Sequence, residues 1–143
     1  MSEVLTLRLP EQIADEVRAI ARRERRSVSD VGARMLDEWV RQSRFTHVEF
    51  RSFNGERHAC IKERLQVWQV IMVAKGYDMD VDKTAEHLVL SSEQVLAAFG
   101  YYDAYPEEID AALRDNSRGY ERLKEMLPGI IRITLPPDNE TLR

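Results

Sequence analysis

Arg8, Thr6 and Val4 stand at alternate positions of the stretch Val4-Leu5-Thr6-Leu7-Arg8-Leu9-Pro10. In an extended backbone they share one face, and Leu5, Leu7 and Leu9 share the other. The chemistry on the first face is that of base-edge recognition. An arginine can bond guanine O6 and N7 in a fork worth roughly 1–3 kcal/mol of discrimination, threonine offers a hydroxyl and a methyl, and valine can touch a thymine methyl. A lone strand cannot present these groups stably, because its backbone donors and acceptors lack partners. One strand and two short helices also make too small a core. The expectation is therefore an antiparallel ribbon formed with a second copy, of a shape that enters the DNA major groove. In the alternative reading, Thr6 and Arg8 are only the solvated face of a dimerisation ribbon.

Two amphipathic helices follow, one carried by Ile13, Val17, Ile20 and Ala21 and one by Val28, Val31, Met35, Leu36, Trp39 and Val40. Pro10 holds Leu9 extended and suits the first helical position, while Ser27 with Asp30 three residues on forms a capping-box pattern. The run LTLRLPEQIADEVRAIARRERRSVSDVGARMLDEWV resembles the ribbon-helix-helix repressors of the Arc, MetJ and CopG class. That resemblance implies that Val4, Thr6 and Arg8 face base edges. It also implies that the backbone amides around Ser27, Val28 and Ser29 hold a phosphate, with Arg25 and Arg26 adding charge beside them. Such proteins often carry glycine between the helices. Here Arg25 stands there, a residue that does not readily take φ > 0, so a tighter or shifted turn is expected.

Beyond Arg44 the helical period stops, and Asn54-Gly55 separates two β-compatible runs, 46–53 and 56–61. That dipeptide predicts a hairpin with a type I′ turn. Three helical patterns come next: Val67, Val70, Ile71 and Ala74 closed by Gly76; a short one over 82–88; and Val95, Leu96, Phe99 and Tyr102, opened by Ser91 with Gln94. The last two outline a helix-turn-helix. Gly55 to Ile61, Val67-Trp68, Thr84 to Leu88, Val95 to Tyr102 and Pro106 to Ile109 resemble, in that order, a small helix-turn-helix family found in VapB-like antitoxins of bacterial toxin-antitoxin pairs. Glu63-Arg64 is shorter than the family's Gly-Thr-Arg turn. The implied partner is a toxin, often a PIN-like ribonuclease, and the implied role is to neutralise it and repress the shared operon.

The candidate recognition helix of this pair, 92–105, has no lysine or arginine but carries Glu93, Asp103, Tyr101, Tyr102 and Tyr105. Clustered aromatics without cations suit protein docking better than a DNA groove. Alternatively the tyrosines fill the domain's own core. From Pro106 a helix is expected to reach Met126, with a break near Asn116 or Gly119. The apolar stretch Ile130-Ile131-Arg132-Ile133-Thr134-Leu135 then reads as a strand that needs a partner, with Ile131, Arg132, Ile133 and Leu135 as a toxin-binding arm or as a strand packed on its own chain or dimer mate.

Net charge is −4, but it is unevenly spread: residues 1–44 hold 9 basic and 8 acidic side chains, residues 45–116 hold 7 and 13, and residues 117–143 hold 5 and 4. The middle is a poor phosphate surface. No apolar run is long enough to cross a bilayer and no signal peptide is present, which predicts a soluble cytoplasmic protein. Cys60 reads as a buried small hydrophobe. Catalysis and cofactors find no support. His47, His58 and His87 lack metal-ligand spacing, and the calcium-like Asp78, Asp80 and Asp82 are followed by Lys83 and Val89 where Gly and Glu belong.

The fold class expected is mainly α with small β elements: a ribbon-helix-helix head over 1–44, a β-hairpin/helix-turn-helix domain over 45–116, and a helix extension with a strand-like tail over 117–143. The function expected is that of a DNA-binding antitoxin acting as a homodimer. The rival readings are a stand-alone repressor and an assembly module that does not bind DNA.

Overall fold

The computed structural model describes residues 1–127. They are mainly helical and include one small antiparallel sheet of three strands. The order is α1 (Glu11–Glu24), α2 (Val28–Arg44), β1 (Glu49–Phe53), β2 (Glu56–Lys62), β3 (Leu65–Gln66), α3 (Val67–Gly76), α4 (Val81–Leu88), α5 (Ser92–Ala104) and α6 (Pro106–Met126). Among the described residues no helix is long and apolar enough to cross a membrane.

Residues 1–10 form neither helix nor strand in the single chain, where the expected ribbon would need a second copy to pair with, and all are exposed. Pro10 is the N-cap of α1, with φ −53° and ψ 144°, one position earlier than its expected place inside the helix. α1 closes on Arg25, which does adopt the left-handed conformation (φ 55°, ψ 42°). Its N–H bonds Arg22 O at 3.3 Å and that of Arg26 bonds Ala21 O at 3.0 Å, the paired bonds of a Schellman end. The expected shift of the turn does not occur; arginine takes the glycine conformation, at a cost of about 1–2 kcal/mol. Ser27 then caps α2, its Oγ accepting from the Asp30 N–H at 3.0 Å.

The hairpin is as the sequence predicts, with Asn54 at φ 51° and Gly55 at φ 83°, and pairs running from Glu49↔Cys60 to Phe53↔Glu56. Glu63, at φ 49°, turns the chain again into β3, a two-residue strand that no periodic pattern reveals. α3 opens with an unforeseen capping box, in which Gln66 N–H donates to Gln69 Oε1 at 2.9 Å. The Asp80 carboxylate caps α4 by accepting from the Lys83 N–H at 2.8 Å, which gives one of the three alternating aspartates a structural role. Both bonds of the Ser91/Gln94 box open α5, at 2.9 and 3.1 Å.

The core gathers Val67, Val70, Ile71 and Ala74 of α3 with Val95, Ala98 and Tyr101 of α5 and Thr84 and Ala85 of α4. Ala59, Cys60 and Ile61 of β2 and Val31 of α2 are also buried. Residues 1–104 make one compact unit, so packing does not divide after Arg44. A second unit begins at Tyr105, where a non-helical residue (φ −131°, ψ 56°) precedes Pro106. Within it α6 runs unbroken for 21 residues through Asn116 and Gly119, so the boundary expected at 116/117 falls inside a helix.

Candidate nucleic-acid interface

The first unit presents two exposed groups of sequence-predicted residues. On the amino-terminal segment Val4, Thr6 and Arg8 are exposed, and so are the leucines between them: Leu5 is 74%, Leu7 57% and Leu9 49% accessible. On the helices, Ile13, Leu36, Trp39 and Val40 are exposed as well. α1 and α2 pack on each other, yet α2 leaves Leu36, Trp39 and Val40 uncovered at helical spacing, and α1 leaves Ile13 uncovered, in the single chain. Where exposed apolar side chains adjoin one another, they mark a surface for a partner.

The second group lies at the α1–α2 turn, where Arg25, Arg26, Ser27, Val28 and Ser29 are all exposed. The N–H of Asp30 is taken by the Ser27 cap and that of Val31 by Ser27 O. The first amides of α2, on Val28 and Ser29, lack helical acceptors as at any helix start, so they add a partial positive charge to that of the arginines. Beside them Glu24 accepts from Arg34 at 2.6 and 3.3 Å. That hydrogen bond holds the Glu24 carboxyl below its ordinary value; partial desolvation opposes it, and the charges of Arg34, Arg26 and Arg23 assist.

An ion-pair chain not anticipated from sequence ties this head to the sheet. Glu38, 8% accessible, accepts from Arg57 Nε at 2.9 Å and from Arg57 Nη2 at 2.8 Å. Arg57 also donates to Phe50 O at 3.1 Å and to Ser52 Oγ at 3.2 Å. The Glu38 hydrogen bond raises the guanidinium pKa above its ordinary value against the cost of burial. A bidentate pair with further donors bonded, here four of the five guanidinium N–H groups, is the geometry in which a partly buried pair contributes most. The two partners lie 19 positions apart on different elements, and no local pattern links them.

Of the three tyrosines, Tyr101 is not available as a docking residue. Tyr101 is wholly buried, its ring edge-on to Phe45 and Phe50 at 5.5 and 6.4 Å between centroids. Its hydroxyl accepts from Arg41 Nη1 at 2.8 Å. It faces its own core because α5 is apolar on nearly every side, which lets Ala98 and Tyr101 turn inward and leaves Leu96 54% exposed. Tyr102 is half-buried with the Lys75 ammonium 5.4 Å from its ring centroid, so α3 supplies a cation that α5 lacks. Tyr105, also half-buried, caps α6 in the second unit. Ile131, Arg132, Ile133 and Leu135 lie outside the described residues.

Among the described residues no three histidine, cysteine or acidic side chains gather as a metal site would require. His87 Nδ1 and the Tyr77 hydroxyl lie 2.8 Å apart, His58 sits edge-on to Phe53, and His47 is 3.9 Å from Glu93. Cys60 is 1% exposed, and burial pushes its thiol pKa up. A raised thiol is a poor nucleophile at neutral pH.

No family model, curated protein or solved structure matches the chain.

Proposed function

We propose that this protein is a DNA-binding antitoxin of a bacterial toxin-antitoxin pair, working in the cytoplasm as a homodimer that represses its own operon. In this reading the fold is a ribbon-helix-helix head followed by a hairpin/helix-turn-helix module. The observation that carries it is the exposure of Leu5, Leu7 and Leu9 beside Ile13, Leu36, Trp39 and Val40, with Thr6 and Arg8 at the intervening positions. A second copy satisfies both needs of that segment at once, pairing its backbone and covering its leucines. Val4, Thr6 and Arg8 then stand in duplicate on the outer face of the ribbon and reach base edges, while the α2 amino terminus receives a phosphate. The partner toxin, a PIN-like ribonuclease on this reading, is held by the carboxy-terminal segment with Ile131, Arg132, Ile133 and Leu135, and Tyr102 and Tyr105, each half-buried, are further candidate contacts.

The decisive measurement is a binding titration of wild type and Arg8→Ala on the DNA upstream of the gene and on a scrambled duplex. The variant is expected to lose about 10-fold or more in discrimination between them, and wild-type affinity is expected to fall steeply with salt. Equal discrimination by the two proteins removes Arg8 from base reading. For the partner, deleting residues 130–143 is expected to leave DNA affinity within about 2-fold, a surface-scale effect. The same deletion abolishes co-purification with the product of an adjoining nuclease-type reading frame. Undiminished co-purification, or no such neighbour, overturns the assignment of the tail.

A further inference from the structure

Along α6 the positions Ile109, Leu113, Asn116, Tyr120, Leu123 and Leu127 follow one another at alternating spacings of four and three, the repeat of a helix that packs lengthwise on a second helix. All but Asn116 are apolar or aromatic. Of the helix only Ile109 is buried in the single chain. Leu113 and Tyr120 are half-buried, and Leu123, Met126 and Leu127 are exposed. Away from this stripe Asp115 and Arg118 stand out in solvent, 4.0 Å from each other. Charge is divided along the helix: residues 106–115 hold four acidic side chains and one basic, and residues 117–126 hold three basic and two acidic. A parallel copy would lay acidic end on acidic end, whereas an antiparallel copy lays acid over base. The antiparallel order also matches the stripe to itself. With a two-fold axis beside Arg118, Leu113 meets the partner's Leu123 and Asn116 meets the partner's Tyr120, whose hydroxyl can donate to the amide oxygen, while Lys124 lies beside the partner's Asp110. Gly119, an unfavourable residue inside a helix, falls next to its own counterpart near the axis; in the single chain a Cβ there would meet nothing within 4 Å.

We infer that α6 is a second self-association surface, which pairs antiparallel with α6 of another copy through Leu113, Asn116, Tyr120 and Leu123. The contact spans about two heptads, too short to hold two free chains together at micromolar concentration. It forms within an assembly already joined at the amino-terminal segment, where the effective concentration of a second contact reaches the millimolar range. To that extent it rests on the ribbon dimer of the proposed function, but it depends neither on DNA nor on a toxin.

The test uses full-length Leu113→Cys and Leu123→Cys chains, oxidised singly and after co-expression and read on a non-reducing gel, with wild type as the control for the buried Cys60 thiol. Antiparallel pairing brings position 113 within the roughly 7 Å between Cα atoms that a disulfide allows of the partner's position 123, and keeps each position about 15 Å along the axis from its own counterpart. The co-expressed chains are expected to cross-link about 10-fold faster than either variant alone, and wild type is expected not to cross-link. Lys124→Glu, an exposed substitution that spares the fold, is expected to slow that linkage by about 2- to 5-fold when both chains carry it, because it faces the acidic end of the other helix. Each cysteine variant linking to itself overturns the antiparallel order, as does a rate that Lys124→Glu leaves unchanged. No cross-link in a sample that ultracentrifugation shows to be dimeric overturns the pairing. Linkage that appears only after residues 128–143 are removed gives the stripe to the chain's own tail and overturns it equally. A wild type that sediments as a monomer defeats the ribbon dimer of the proposed function instead, and is recognised before any cross-link is made.

Discussion

Tyr101→Ala is expected to destabilise the first unit by about 3–5 kcal/mol, the range for emptying a buried aromatic site. The ring is fully enclosed, and its neighbours Phe45 and Phe50 are themselves large and held by α2's end and by β1, so the space cannot collapse easily. The loss includes a polar component, because the Arg41 guanidinium gives up the phenol oxygen it meets at 2.8 Å. Tyr101→Phe separates the two contributions and should cost only about 1–2 kcal/mol. Denaturant titration followed by circular dichroism reads both values. A Tyr101→Ala protein within about 1 kcal/mol of wild type would return this side chain to the surface role that its neighbours in sequence suggest.

The second large effect is on assembly. If the amino-terminal leucines pair across a two-fold axis, Leu7→Asp places two carboxylates in the centre of that interface. Losing the burial of a leucine costs about 2 kcal/mol per chain, hence about 4 kcal/mol per dimer, or close to a thousandfold in the dissociation constant before charge repulsion is added. Analytical ultracentrifugation should show wild type as a dimer at micromolar concentration and Leu7→Asp as a monomer. The buried core of residues 1–104 does not include Leu7, so the helical circular dichroism of residues 45–104 should survive. A Leu7→Asp protein that stays dimeric excludes the ribbon as the assembly surface.

How much of this was legible in the chain depends on the range of the interaction. Asn54-Gly55 fixes a hairpin because two successive positive φ angles are demanded locally, and Ser91 with Gln94 marks a helix start because both bonds close within four residues. Of the α5 stripe Val95, Leu96, Phe99 and Tyr102, Val95 is buried but its companions in the core are Ala98 and Tyr101, while Leu96 is exposed. On a helix apolar all round, periodicity carries little directional information. β3 is too short to have a period, and Arg25 defied a propensity that tertiary and terminal hydrogen bonds can outweigh. Of the candidate interface, its residue types and alternation were readable, but the chain could not reveal that Glu24 is held by Arg34, ten positions away on the next helix.

The Glu38–Arg57 fork has an evolutionary corollary. A head severed from its sheet would strand a nearly enclosed carboxylate, and a sheet given a foreign head would strand a guanidinium beside Phe50. Swapping amino-terminal segments between proteins of this build is therefore viable only when both members of that couple travel together, so the two halves must be inherited as a matched set.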